Sequence, residues 1–244
     1  MPLAQVKLEY SYAAVGGKTA AVIVAAGSSS RMGGVDKQML QLGGMPVVAR
    51  TLLKFQNTDA VDGIVIVTKA EKMGAMQMLA GEYGISKLIC VAEGGASRQE
   101  SVSRGVAALG DEYSTVLIHD GARPLVKESV ISAVASAAKE FGAAACGVRI
   151  YDTVKVLDTD GNICSTVDRN SLIRVQTPQG FDLNAYKAAV ASCSDLSACT
   201  DDCAVMEQAG HKIKLIESDE TNIKVTTPAD IQLAERILST EGNL

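Results

Sequence analysis

Between residue 20 and about residue 150, short and nearly unbroken apolar runs alternate with stretches whose apolar residues recur every three or four positions. The runs Ala21–Ala25, Ile64–Thr68, Leu88–Ala92, Val116–His119 and Ala144–Val148 predict strands buried on both faces. Between them, Val48, Leu52 and Phe55, then Val102, Val106 and Leu109, then Ile131, Val134 and Ala138 keep helical spacing, with Pro46 where a helix can start. Buried strands separated by amphipathic helices predict a mainly parallel α/β sheet with helices on both faces. The pattern changes after residue 150. Two short strand candidates flank the turn-rich Asp158-Thr159-Asp160-Gly161-Asn162, and neither offers a large apolar face. An isolated hairpin is marginal in water, so the segment from about 151 to 170 reads as a protruding β-hairpin arm that packs on another subunit. The α/β pattern returns with strand candidates Ile213–Glu217 and Ile223–Thr226. A last helix, Pro228 to about Leu238, places Ile231, Ala234, Ile237 and Leu238 on one side. Residues 19–240 thus read as one domain with an arm, preceded by an extension of residues 1–18.

Composition narrows the picture. With three Phe, six Tyr and no Trp in 244 residues, packing rests on aliphatic side chains. A net charge of −5 argues against a protein that coats nucleic acid. The apolar runs are too short to span a bilayer, and the first eighteen residues lack the pattern of a secretory signal, so a cytoplasmic chain without a membrane partner is expected. Six cysteines are scattered without a C-x-x-C pair. Cys199, Cys203 and His211 lack the spacing and the fourth ligand of a zinc site, which leaves reduced thiols as the expectation.

Candidate chemistry collects after the strands. Residues 22–34, VIVAAGSSSRMGG, end an apolar run in a loop of small residues with one fixed cation, Arg31; Lys37 follows three residues after Gly34. Free backbone amides and two cations suit an anion such as a triphosphate. The loop is neither G-x-G-x-x-G nor a P-loop, because no Lys-Ser or Lys-Thr follows its glycines. HDGARP, residues 119–124, places Asp120 at a strand end, a natural position for a carboxylate that holds Mg²⁺. Arg123 stands ready to pair with a phosphate, and His119 reads as a structural residue. Glu93-Gly94-Gly95-Ala96-Ser97-Arg98 also follows a strand; its glycines admit a flat ring, and Arg98 and Ser101 offer polar groups. Lys224 interrupts an apolar run, so it snorkels to solvent or points into a site. No G-x-S-x-G, no H-E-x-x-H and only two histidines occur. Cations, one or two carboxylates and glycine loops suit phosphoryl or nucleotidyl transfer, where positioning and charge stabilisation carry the catalysis.

Taken in order, AAGSSSRMGG with Lys37-Gln38, GG-x-x-R-x-x-S at 94–101, HDGARP, DT-x-K at 152–155, VDRN at 167–170, QTPQ at 176–179, TDD at 200–202 and NIKVT at 222–226 resemble the 2-C-methyl-D-erythritol 4-phosphate cytidylyltransferase family of the non-mevalonate isoprenoid pathway. The resemblance runs from about Thr19 to about Leu238. It implies a Rossmann-like fold, CTP and a polyol phosphate as substrates, and Mg²⁺ as the divalent cation. It further implies that Ala25, Ala26, Gly27, Ser28 and the rest of the loop to Arg31 wrap the triphosphate, with Arg31 and Lys37 on its phosphates. Gly95, Ser101 and Gly121 would surround cytosine and ribose, and Lys224 would lie against the α-phosphate. Asp120 would help hold Mg²⁺, and Arg123 and Thr200 would approach the sugar phosphate. In that family the arm crosses to the other subunit of a homodimer, so Thr153 and Arg169 would complete the neighbour's site. Asp36 stands where proline is common, Gly121 where alanine is frequent, and Ala96 where many relatives carry a polar side chain. The nearest alternative is a ribitol-5-phosphate cytidylyltransferase, with the same chemistry on a different acceptor.

Overall fold

A segment buried on both faces satisfies its backbone groups only by pairing along both edges, and four of the apolar runs do so. Leu88–Ala92, expected to be buried on both faces, instead lies at the sheet's edge: among the described residues it pairs only with the run Ile64–Thr68, and it is half-buried or exposed. The computed structural model describes residues 16–27, 36–240 and 242. The expected loop positions Ser28 and Arg31, and most of the extension, lie outside the described residues. In chain order the elements are β1 (Lys18–Val24), β2 (Gln41–Leu42), β3 (Met45–Pro46), α1 (Val47–Gln56), β4 (Gly63–Thr68), α2 (Met73–Glu82), β5 (Leu88–Glu93), α3 (Arg98–Ala107) and β6 (Tyr113–Asp120). There follow α4 (Glu128–Phe141), β7 (Ala143–Arg149), β8 (Lys155–Leu157), β9 (Ile163–Thr166), β10 (Ile173–Asp182), α5 (Leu183–Ser192), α6 (Asp202–Gln208), β11 (Lys214–Glu217) and α7 (Pro228–Thr240).

Among the described residues the main sheet has seven strands in the order β11-β7-β10-β6-β1-β4-β5. Every pairing is parallel except those of β10, which runs antiparallel to β6 and β7. The mainly parallel α/β sheet is therefore present. The chain leaves β1 for β4 on one side and returns to β6 on the other. Strand order reverses at β1, and the crevice beyond the carboxyl ends of such strands is where open α/β sheets bind ligands. Register keeps those ends level: Val24 pairs with both Val67 and Asp120, and Thr68 with Glu93.

Alternate side chains of each strand feed opposite layers. Ile23, Ile66 and Leu117 meet α1, α2 and α4 on one face. Val22, Val65 and Ile118 meet α3, α5 and α6 on the other. Helix α3 lies unusually close to the sheet, because a Cβ on Gly105 would come within 2.6 Å of Val22 and Val67. Helix α4 stops at Gly142, whose φ of 78° is the left-handed cap that favours glycine. A smaller cluster joins Ala234 and Leu238 of α7 to Leu42, Val47 and Leu125.

One further expectation is corrected. Ile223–Thr226 is not a strand: it is irregular backbone, held by the Val225 N–H donating to the Ala122 carbonyl, just past the end of β6, at 2.8 Å. Four residues interrupted by Lys224 form one anchoring bond rather than a ladder. Conversely, Thr177-Pro178-Gln179, a polar stretch that would equally suit a turn or cap, lies inside β10, with Gln176, Thr177 and Gln179 buried. The Thr177–Pro178 peptide is cis, and the β7–β10 register shifts between Val175 and Gln179. The expected hairpin is present as β8 and β9, and all seven of its strand residues are exposed.

Candidate active site

The level carboxyl ends bring the loops after β1, β5 and β6 around one cavity of about 480 Å³. Ala26, Gly27, Lys37, Gly95, Arg98, Ser101, Asp120 and Lys224 all line it, joining predicted residues from four separate parts of the chain. Gly94 allows the β5 loop to approach β1, since a Cβ there would lie 2.6 Å from that of Ala26. Ser97 caps α3 by accepting the Glu100 N–H at 3.0 Å. The Ser101 hydroxyl accepts the Gly95 N–H at 3.0 Å and donates to the Ser97 carbonyl at 2.8 Å, so it shapes the turn.

Asp120 is the electrostatic centre. Its Oδ2 lies 2.8 Å from Lys224 Nζ and 3.3 Å from Arg123 Nε, and its Oδ1 lies 3.7 Å from Arg98 Nε. Burial alone would raise this carboxyl. Lys224, Arg98 and Arg123 outweigh that effect and hold it well below the usual carboxylate range. Arg123 also donates from Nη1 to the Asn222 carbonyl at 2.8 Å, which ties the β6 loop to the Lys224 segment. A second cavity, about 600 Å³, opens beside Arg123, Arg174 and Asn222 and shares Lys224 with the first. Arg98 reaches the other way, placing Nη2 2.7 Å from Oδ2 of the wholly buried Asp202.

His119 holds the floor. Thr177 Oγ1 accepts the Asp120 N–H at 3.1 Å and lies 3.1 Å from His119 Nδ1. Because His119 Nε2 faces a carbonyl, which can only accept, the neutral ring carries its proton there and Nδ1 accepts from the Thr177 hydroxyl. His119 Nε2 then donates to the Arg123 carbonyl at 3.3 Å. This pattern fixes the neutral Nε2–H tautomer, and burial pushes the histidine pKa down to about 3. The expected structural reading of His119 agrees with that geometry.

Other predicted residues fall elsewhere. The amides of Ala25 and Gly121 are already used, donating to the Val67 carbonyl at 2.7 Å and the Val24 carbonyl at 2.9 Å. Thr200 is exposed and lines neither cavity. Thr153 and Arg169 are exposed in the hairpin region, where Arg169 donates to the Tyr151 carbonyl. Asp36 is engaged away from the cavity, with Oδ2 2.6 Å from Lys72 Nζ and Oδ1 accepting the Gln38 N–H at 3.1 Å. Lys69, absent from the predicted set, also lines the first cavity. Its signal was available: a cation directly after a buried strand, as at the other loops.

Which metal the residues suit follows from the donors. Among the described residues no group of three or more His, Cys, Asp or Glu converges. A divalent cation at Asp120 would take one hard carboxylate oxygen and draw its remaining ligands from phosphates and water, the usual habit of Mg²⁺. The donor set fits that ion. Also among the described residues, no helix is long and apolar enough to cross a membrane.

A switch-point cavity walled by glycine loops and cations around one carboxylate marks an α/β enzyme of the nucleotidyltransferase kind. The family model for 2-C-methyl-D-erythritol 4-phosphate cytidylyltransferase matches residues 19–240. A protein of that name from Clostridium novyi is 41% identical over 227 residues, covering 91% of this chain and 96% of its own. Another, from Geobacillus thermodenitrificans, is 41% identical over 221 residues, covering 90% and 96%. The crystal structure of 4-diphosphocytidyl-2C-methyl-D-erythritol synthase from Anaerococcus prevotii superposes with a TM-score of 0.82 at 27% identity, covering 91% of this chain and 96% of that one. The chain belongs to the 2-C-methyl-D-erythritol 4-phosphate cytidylyltransferase family.

Proposed function

We propose that this chain transfers the cytidylyl group of CTP to 2-C-methyl-D-erythritol 4-phosphate, making 4-diphosphocytidyl-2-C-methyl-D-erythritol and pyrophosphate for isoprenoid precursor synthesis in the cytoplasm. The observation that carries this reading is the ring of Arg98, Arg123 and Lys224 around Asp120, with Arg98 lining one cavity, Arg123 the other and Lys224 both. One cavity would take the nucleotide and the other the acceptor.

The chemistry follows from charge. A phosphate monoester is mostly dianionic at neutral pH, with a second pKa of about 6, and needs no general base. One of its oxygens attacks the α-phosphorus of CTP. The bond from that phosphorus to the bridging oxygen of pyrophosphate breaks, and pyrophosphate leaves with the electron pair. Two anions have to meet, so the chain's task is to cancel repulsion and hold the line of attack. Lys224, shared by both cavities, would serve the α-phosphate, and Arg123 the acceptor phosphate. Lys37 and Arg31 would serve the triphosphate. Mg²⁺, when bound through Asp120 and phosphate oxygens, would supply further positive charge to the phosphates. Ala26, Gly27 and Gly95 would let the nucleotide approach the backbone.

The exposed hairpin supports a homodimer in which each arm, through Thr153 and Arg169, completes the partner's site. Leu157 and Ile163 are 59% and 65% exposed, apolar surface that a second subunit would cover.

The reaction is tested with acceptor whose three terminal phosphate oxygens carry ¹⁸O. Product retaining all three labels is expected, with unlabelled pyrophosphate. Loss of one label would contradict attack by the acceptor's phosphate oxygen, and absence of product would overturn the function.

A further inference from the structure

Asp202 opens α6 with its side chain wholly buried. A buried carboxylate persists only when paired and hydrogen-bonded, and this one has both kinds of partner. Its Oδ2 faces Arg98 Nη2 at 2.7 Å, and its Oδ1 accepts the Tyr186 hydroxyl at 2.8 Å. The surrounding backbone is also fixed. Gln179 Oε1 accepts the N–H groups of Asp202 and Cys203, each at 3.1 Å, while Gln179 Nε2 donates to Asp201 Oδ2 at 2.8 Å. The start of α6 is thereby locked to β10. The same lock extends to α3, where Gln99 Nε2 donates to the Cys199 carbonyl at 2.5 Å.

Arg98 is the point at which this buried network reaches the cavity. With one nitrogen on Asp202, its planar guanidinium has little freedom to turn, and its Nε faces Asp120 at 3.7 Å. Its Nη1 is buried and makes no hydrogen bond among the described residues. An unmatched buried donor is costly, and a ligand oxygen would satisfy it. Were Asp202 uncharged, the nearest remaining carboxylate for Arg98 would be Asp120. The guanidinium would then turn onto the group that Lys224 and Arg123 share.

Resting on the cytidylyl transfer proposed above, we infer that Asp202 and Tyr186 are positioning residues: they clamp Arg98 at the cavity wall, keep it from collapsing onto Asp120, and leave one of its donors for an oxygen of the nucleotide. Neither residue touches substrate. Gln179 and Gln99 hold the clamp's frame.

The test compares Tyr186→Phe, Asp202→Asn and Arg98→Lys, singly and in pairs, by kcat, KM for CTP and thermal midpoint. Asp202→Asn and Tyr186→Phe are each expected to lower kcat about tenfold or more, the scale of losing an ion-pair partner and a hydrogen bond to a carboxylate. Combined with Arg98→Lys, either change should cost little beyond the Arg98→Lys loss, because all act through one guanidinium. A structural role alone would lower the thermal midpoint, leave kcat of the folded enzyme intact and add to the Arg98→Lys loss; that result overturns the inference. Should Asp202→Asn not fold, the Tyr186→Phe pair with Arg98→Lys decides, since phenylalanine keeps the packed ring. A wild type that makes no product removes the reaction and the inference with it, whereas an active wild type with unaffected variants removes the inference alone.

Discussion

Asp120 holds three cations that the substrates' phosphates would need. Its carboxylate keeps them gathered, and an arriving phosphate oxygen competes for the same donors. Lys224 lines both cavities, and in the proposed transfer it would have the most to give as negative charge accumulates around the α-phosphorus. Lys224→Ala is therefore expected to lower kcat by about a hundredfold or more, the scale of one preorganised donor. A loss confined to KM would instead indicate uniform binding. His119 sets a pH dependence of a different kind. Its pKa is about 3 when folded and roughly 6.5 when unfolded, so the unfolded chain binds the extra proton between those values. Stability is full above about 6.5 and falls as pH drops toward 3. Between pH 6.5 and 5.5 the loss from this one group is about 1 kcal/mol. Denaturant melts of His119→Asn should show a shallower decline between pH 6.5 and 5.5 than wild type; an equal slope would contradict the buried neutral histidine. Much of this site is legible in the sequence, because Asp120 directly follows one apolar run, and Arg98 and Lys37 follow the glycine-containing loops after two others. Asp202 and Tyr186 are not, since their link to Arg98 is tertiary: α5, α6 and α3 meet only on the folded sheet.

At the scale of elements, strands buried on both faces declare themselves. Ile64–Thr68 and Val116–His119 are runs that only a covered sheet accommodates. Strand β10 hides because Gln176, Thr177 and Gln179 are polar yet buried. Each is matched by a tertiary partner: Asn222 Nδ2 donates to Gln176 Oε1 at 3.0 Å, His119 meets Thr177, and Asp202 meets Gln179. Local pattern cannot anticipate such partners. Ile223–Thr226 misleads for the opposite reason, since its buried Val225 packs without joining a ladder. The hairpin is visible as a segment with no large apolar face to offer a core, and its proposed crossing to a partner has a direct consequence. Mixing Lys37→Ala chains with Arg169→Ala chains should restore activity in the heterodimers, because one composite site is then intact. Confirmed heterodimers with no recovery would show that each site is complete within its own chain.

Over the whole molecule, a chain of net charge −5 gathers Lys37, Lys69, Arg98 and Lys224 around one cavity at the sheet's carboxyl edge. Overall charge discourages nonspecific contact with polyanions, while the cavity keeps a local field for one small anion. Binding there should stabilise the fold by mass action, about 2.7 kcal/mol at a ligand concentration a hundred times Kd. A thermal melt with CTP and Mg²⁺ is expected to shift upward, with no shift from NAD; equal shifts, or none, would contradict a cytidine nucleotide site. The most direct measurement is pyrophosphate release from CTP and Mg²⁺ with 2-C-methyl-D-erythritol 4-phosphate, run beside the same reaction with ribitol 5-phosphate. Release with the methylerythritol acceptor alone is the expected result, and release only with ribitol 5-phosphate, or with neither, would contradict it.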